Sequence, residues 1–188
     1  MIGYAMCGSF CTLSESLKVL EALCLSGEDI QPIMSENVYT TDTRFGKAED
    51  LIKRAEQITG RRIVHTVKDA EPFGPKTPLE ALIIAPCTGN TLSKLSLGIT
   101  DTAVTMAAKA HLRCDRPLLI ALCTNDGLSQ NLGSISRLLT RRAVAFVPMR
   151  QDDPHGKPQS LVARLSLVPE CLSLLREGKE MRPLFLEK

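Results

Sequence analysis

The turn Cys87-Thr88-Gly89-Asn90-Thr91 gathers hydroxyl, amide and thiol side chains around one glycine, just after the apolar run Leu82-Ile83-Ile84-Ala85 and Pro86. Where a strand gives way to a helix, such a turn presents free backbone N–H groups and small polar side chains to an anion. Cys7-Gly8-Ser9 repeats the composition after the run at 2–6, and Thr124-Asn125-Asp126-Gly127 repeats it after 117–123. Ser35 closes a further run at 30–34. Gly8 and Ser9 can hold a phosphate through main-chain N–H groups and the Ser hydroxyl. None of these turns is a GxGxxG or a P-loop, so each taken singly also fits a plain strand–helix connection. Polar strand ends repeated along one edge favour a phosphate-bearing cofactor. Cys87 suggests a nucleophile, but spacing places no His or Asp beside it. No catalytic residue is assigned.

Seven Cys stand at 7, 11, 24, 87, 114, 123 and 171, with no CxxC pair and only three His. That pattern gives neither a metal site nor a disulfide framework and points to a reducing cytoplasm. The formal charge of +2 makes no case for nucleic acid or membrane as a partner. The pairs Arg61-Arg62 and Arg141-Arg142 are too short to be basic tracts. No apolar run approaches the roughly 20 residues of a membrane span. With 44% hydrophobic and 23% charged residues, the 188 positions suit one globular domain over 1–188.

The elements that must carry these turns follow from periodicity. Strands are expected at 2–6, 30–34, 62–67, 82–85, 117–123 and 143–147. Leu13, Leu17, Leu20 and Cys24 mark a first helix, opened by a Thr12–Glu15 capping box and closed by Gly27. Leu51, Ile52, Ala55 and Ile58 mark a second, stopped by Gly60; Leu92 and Leu95 a third, stopped by Gly98. Asp101 is the expected N-cap of an Ala-rich helix over 102–110, and Ile135 and Leu138 lie in another helix. The segments 37–45, 71–78 and 148–158 read as loops, with His155 exposed; 161–175 reads as a weak helix broken by Pro169, and 183–186 as a short terminal strand. His65 reads as a strand histidine with no catalytic task. The alternation predicts an α/β fold of three α/β/α layers, with a doubly wound, mostly parallel sheet of the Rossmann-like or flavodoxin-like kind.

Ala85-Pro86-Cys87-Thr88-Gly89-Asn90-Thr91, with Lys94 and Gly98-Ile99-Thr100-Asp101, resembles the flavin-binding motif of the homo-oligomeric flavin-containing cysteine decarboxylase superfamily. That superfamily includes pantothenoylcysteine and lantibiotic peptide decarboxylases and flavin prenyltransferases. Further segments are similar to one branch of it: Ala70-Glu71-Pro72, Gly74-Pro75-Lys76, Ala107-Ala108-Lys109-Ala110, Thr124-Asn125-Asp126, Phe146-Val147-Pro148 and Gln151-Asp152-Asp153-Pro154. The resemblance implies a non-covalent FMN held by Gly8, Ser9, Ser35, Pro86, Cys87, Thr88, Gly89, Asn90, Thr91, Thr124 and Asn125. It implies a homo-oligomer, a trimer or dodecamer, with flavin where its copies meet. It also implies a partner A subunit with a dehydrogenase fold for NADP or NAD. Together they would oxidise dihydrodipicolinate to dipicolinate in the mother-cell cytoplasm of a sporulating bacterium. A dicarboxylate substrate wants cations, for which Lys76, Arg150 and Lys157 are candidates. The decarboxylases' catalytic His has no counterpart near Pro72, His65 being far from it in sequence, and Arg150 follows Pro148-Met149 where they carry Asn. The alternatives are a decarboxylase, a prenyltransferase or a non-catalytic partner of the A subunit.

Overall fold

The computed structural model describes residues 1–187. Its strands are β1 (Ile2–Met6), β2 (Ile30–Met34), β3 (Leu82–Cys87), β4 (Leu118–Thr124), β5 (Val144–Phe146), β6 (Met149–Arg150) and β7 (Leu161–Ala163). Its helices are α1 (Leu13–Leu25), α2 (Glu36–Thr40), α3 (Ala48–Thr59), α4 (Val67–Ala70), α5 (Gly89–Leu97), α6 (Ala103–Leu112), α7 (Leu132–Leu139) and α8 (Val168–Arg176). The first five strands are parallel in the order β2-β1-β3-β4-β5. β4 forks: Leu118, Leu119 and Ile120 pair with β5, whereas Cys123 and Thr124 pair antiparallel with β7, which carries β6.

β1 and β3 are buried along their whole length, as parallel strands covered on both faces must be. Successive side chains feed opposite layers. Tyr4, Met6, Ile83, Ala85 and Leu119 pack with residues of α1, α3 and α8. Ala5, Cys7, Ile84, Ile120 and Leu122 pack with residues of α5, α6 and α7. The sheet is therefore the doubly wound α/β/α core the alternation predicts, in flavodoxin-like strand order. In that order the chain winds outward in opposite directions from β1 and β3, which opens a crevice beyond their carboxyl ends.

Several elements differ from the sequence reading. Pro86 does not stop the strand: the Ala85–Pro86 peptide is cis, and a register shift between Ile84 and Cys87 carries β3 onward. Thr12 forms no capping box, because its hydroxyl donates instead to Ser9 O at 2.9 Å. Thr102, not Asp101, caps α6 in a reciprocal box with Thr105, leaving Asp101 to pair with Lys94 at 2.8 Å. The 37–45 stretch begins within α2, after Ser35. The 62–67 segment gives only a bridge from Val64 to Ile33, since Thr66 already caps α4. Pro72 sits in the first turn of a 3-10 helix and Pro169 in the first turn of α8, where a missing N–H costs nothing. Residues preceding α8 form β7 rather than helix, 148–158 begins with β6, and 183–186 supplies only a bridge from Phe185 to Met149.

Candidate functional site

The crevice beyond β1 and β3 is built by main-chain hydrogen bonds that continue past the strands. Cys7 N–H donates to Pro86 O at 3.0 Å, and Ser35 N–H donates to Met6 O at 3.0 Å. The ends of β1, β2 and β3 are thereby held side by side. Thr88 caps α5 by accepting from Thr91 N–H at 3.3 Å, and the Thr91 hydroxyl donates to Cys7 Sγ at 3.4 Å. Gly89 closes the other flank. A Cβ there would lie 2.6 Å from Thr124 Oγ1 and 2.7 Å from Asp126 Oδ1, and closer still to Asn131. Only a glycine lets the β3 turn sit this tightly on the β4 turn. Gly8, at the tip of the first turn, stands near Phe10 and Asn37.

The structure thus brings Gly8, Ser9, Ser35, Pro86, Cys87, Thr88, Gly89, Asn90, Thr91 and Thr124 to one edge, with Asn125 exposed beside them. Ser35 Oγ is buried and has no hydrogen-bond partner among the described residues. A buried hydroxyl left in that state costs roughly 1–3 kcal/mol unless something else meets it. α5 begins at the same edge, and its first N–H groups favour an anion. Hydroxyls, amides, an orphaned donor and a helix start are the groups that a phosphate and a polyol chain would use, so the residues present fit FMN.

The buried thiols near this edge are held protonated. Burial pushes Cys7 up to about 11 and Cys123 up to about 12, and holds Cys87 well above its ordinary value. At neutral pH they remain thiols, which removes the nucleophile reading of Cys87.

Of the cations, Lys157 lies in the loop that returns Ser160 Oγ to Thr124 O at 3.2 Å, and it pairs with Asp152 at 3.2 Å. Arg150 is exposed on β6, opposite Val162, which in turn faces Cys123. Both therefore stand at the carboxyl edge. Lys76 does not. It lies 3.9 Å from Glu71, which also meets Arg113 beyond the end of α6, and the chain then reaches Met1 O through Glu80 N–H. That is the amino edge, so the expectation that Lys76 lines the site is corrected.

Some residues at this edge carried no signal in sequence. Asn131 is buried, accepts from Ser93 Oγ at 2.8 Å and thereby ties the β4 turn to α5, from 38 positions away. His65 is not a strand histidine. Its ring stacks on Tyr39, centroids 3.7 Å apart and planes 9° apart, beside a cavity of about 350 Å³ that Glu36, Thr66, Asp101 and Thr102 also line. Sequence distance is a poor guide to its place. A larger cleft of about 740 Å³, lined by Glu80, Asp115, Arg142 and Arg176, lies at the amino edge, away from the polar strand ends.

Known proteins share this fold. The chain is 38% identical over 186 residues to the B subunit of dipicolinate synthase from Bacillus subtilis (strain 168), covering 99% of this chain and 93% of that protein. The crystal structure of the corresponding dipicolinate synthase protein from Bacillus halodurans C superposes with a TM-score of 0.91 at 42% identity, over 100% of this chain and 96% of that one. The FMN-dependent cysteine decarboxylase SpaF shares the fold, with a TM-score of 0.71 at 17% identity over 94% and 95% of the two chains. The model described as Flavoprotein matches residues 1–160, the stretch that holds every polar strand end just described, and the chain belongs to that family.

Proposed function

We propose that this chain binds FMN at the carboxyl edge of its sheet and serves, with an A subunit, in the oxidation of dihydrodipicolinate to dipicolinate (pyridine-2,6-dicarboxylate). The reading rests first on the orphaned Ser35 hydroxyl within the crevice of β1 and β3. The likeness to dipicolinate synthase B subunits over nearly the whole chain gives the reaction. Gly8, Ser9, Ser35 and the turn from Pro86 through Thr91 hold the cofactor, with Thr124 and Asn125 closing it from β4. When bound, the flavin supplies a two-electron acceptor for a ring that becomes aromatic. The chain's own residues bind and orient. The first turn of α5 offsets phosphate charge, and Arg150 and Lys157 attract a dianionic substrate to the same edge. The open edge suits an assembly in which further copies complete the site, and NADP or NAD enters with the A subunit. The setting is the cytoplasm of a sporulating cell.

A second reading keeps the cofactor and changes the reaction. The stacked Tyr39 and His65 beside the cavity at this edge favour a flavin-dependent decarboxylase more than the sequence does.

The test is an absorbance spectrum of the purified protein, mass spectrometry of what denaturant releases, and turnover of dihydrodipicolinate with and without the A subunit. Released FMN and turnover that needs both subunits support the proposal. Released FMN with loss of carbon dioxide from a peptide ending in Cys supports the second reading. A colourless protein that takes up no added FMN overturns both and leaves a non-catalytic partner.

A further inference from the structure

A cavity of about 250 Å³ opens where the ends of α5 and α6 meet the chain that follows α7. Its walls include Lys109, Arg113 and Arg141, and no Asp or Glu is among the residues that line it. Lys109 and Arg141 have no ion-pair partner among the described residues, and Arg113 has only Glu71, at 3.7 Å. Leu95, Ile99 and Leu112 supply an apolar floor, with Ile99 44% exposed although it borders the cavity. Thr100 adds a half-buried hydroxyl.

We propose that this cavity binds a small dianion with a flat apolar body, an aromatic dicarboxylate or an aryl phosphate. Arg113 is answered by Glu71, but Lys109 and Arg141 face the cavity with no carboxylate partner among the described residues and repel one another. The carbonyl ends of α5, α6 and α7 converge here and offset part of that charge, about half a unit each. The two unpaired charges of Lys109 and Arg141 exceed that offset, and an oxyanion balances the remainder. Lys109 on α6 and Arg141 on the chain after α7 come from different elements and suit two separate anionic groups, and the leucines suit the ring between them. The site is distinct from the flavin edge. α6 starts at that edge with Thr102 and ends beside Pro117, where His111 Nε2 meets Pro117 O at 2.8 Å. Ten helical residues put about 15 Å between the two ends; the cavity runs along α6 from Thr105 in its first turn, and its cations Lys109 and Arg113 lie toward the far end. The inference does not depend on the flavin reading.

The test is calorimetric titration of the full chain at low ionic strength with isophthalate, phenyl phosphate and inorganic phosphate. One site per chain is expected for one or both aromatic dianions, with inorganic phosphate weaker by about tenfold for want of the apolar contact. The tighter of the two aromatic probes identifies the anionic group. Arg141→Gln and Lys109→Gln each weaken binding about tenfold, and Arg62→Gln leaves it unchanged. Both cations are exposed, so these variants fold. Three results overturn the proposal: no binding of either aromatic probe, affinity unchanged in Arg141→Gln, or binding lost in Arg150→Gln and Lys157→Gln instead.

Discussion

The buried hydroxyl of Ser16 donates to Ala85 O at 2.5 Å, joining α1 to the last residue before Pro86 across 69 positions of sequence. Tyr4 OH lies 3.0 Å from the same Ser16 oxygen. Burial holds Tyr4 well above the usual phenol range, so it remains a donor at any ordinary pH. The crevice is thus braced from beneath by a polar chain sealed inside an apolar layer.

Ser16→Ala leaves Ala85 O and Tyr4 OH without that partner and is expected to lower stability by about 1–3 kcal/mol. Urea unfolding measures it. Tyr4→Phe made in the Ser16→Ala background should cost less than in the native chain, because the two share one network.

Ser35→Ala separates binding from folding. The hydroxyl has no protein partner, so the stability of the flavin-free chain should hold or rise, by up to the roughly 1–3 kcal/mol an unmet buried hydroxyl costs. Flavin affinity, read from fluorescence quenching, should fall about tenfold. Gly89→Ala should lower that affinity at least as far, because its new methyl pushes the Thr124 turn away from α5.

Stability should depend on pH through His111. Burial lowers its affinity for a proton below the ordinary 6.5. The folded chain therefore keeps a neutral imidazole while the unfolded chain takes up a proton as pH falls through about 6.5. Stability is present above that value and declines below it until the folded group itself titrates. His111→Gln should flatten this part of a denaturant-midpoint profile between pH 7 and about 5, while lowering its plateau through the lost bond to Pro117 O.

Thiol labelling under native conditions should modify Cys11, which is exposed, well before Cys7, Cys87, Cys123 and Cys171, which are buried. The buried four should react only on unfolding. Cys87→Ala should retain flavin, since that thiol stays protonated and packs in the apolar layer with Ala5, Ile84 and Leu122, leaving the backbone of the turn to meet the cofactor.

The strand ends were legible because parallel strands buried on both faces read as unbroken apolar runs, and small polar residues follow each one. Helix stops at Gly60 and Gly98 were legible too, for both adopt the left-handed conformation that ends a helix. Short elements were not. Whether Thr12 or Thr102 caps a helix turns on one hydroxyl choosing between nearby acceptors and donors, a choice made by the tertiary approach. β7 was hidden because Leu161 and Val162 pair with Thr124 and Cys123 of β4, far away in sequence and beyond any local pattern. Lys76 was misplaced because the local bond of Thr77 N–H to Pro72 O does not say which edge the loop faces; Glu80 N–H on Met1 O and Arg116 on Leu79 O set where that loop lies.

The forked sheet also decides how the molecule can associate. β2's outer side is already met by Val64, through bonds of Met34 N–H to Val64 O and Val64 N–H to Pro32 O. β6 is met by the chain at Leu184 and Leu186, and β5 is only three residues long. Among the described residues no long strand is left bare to recruit another, the usual route to edge-to-edge pairing. Helix surfaces and the polar loop edge are what the described residues leave open to copies of this chain or to a different partner, and at that loop edge contact between proteins and contact with ligand would fall on the same ground.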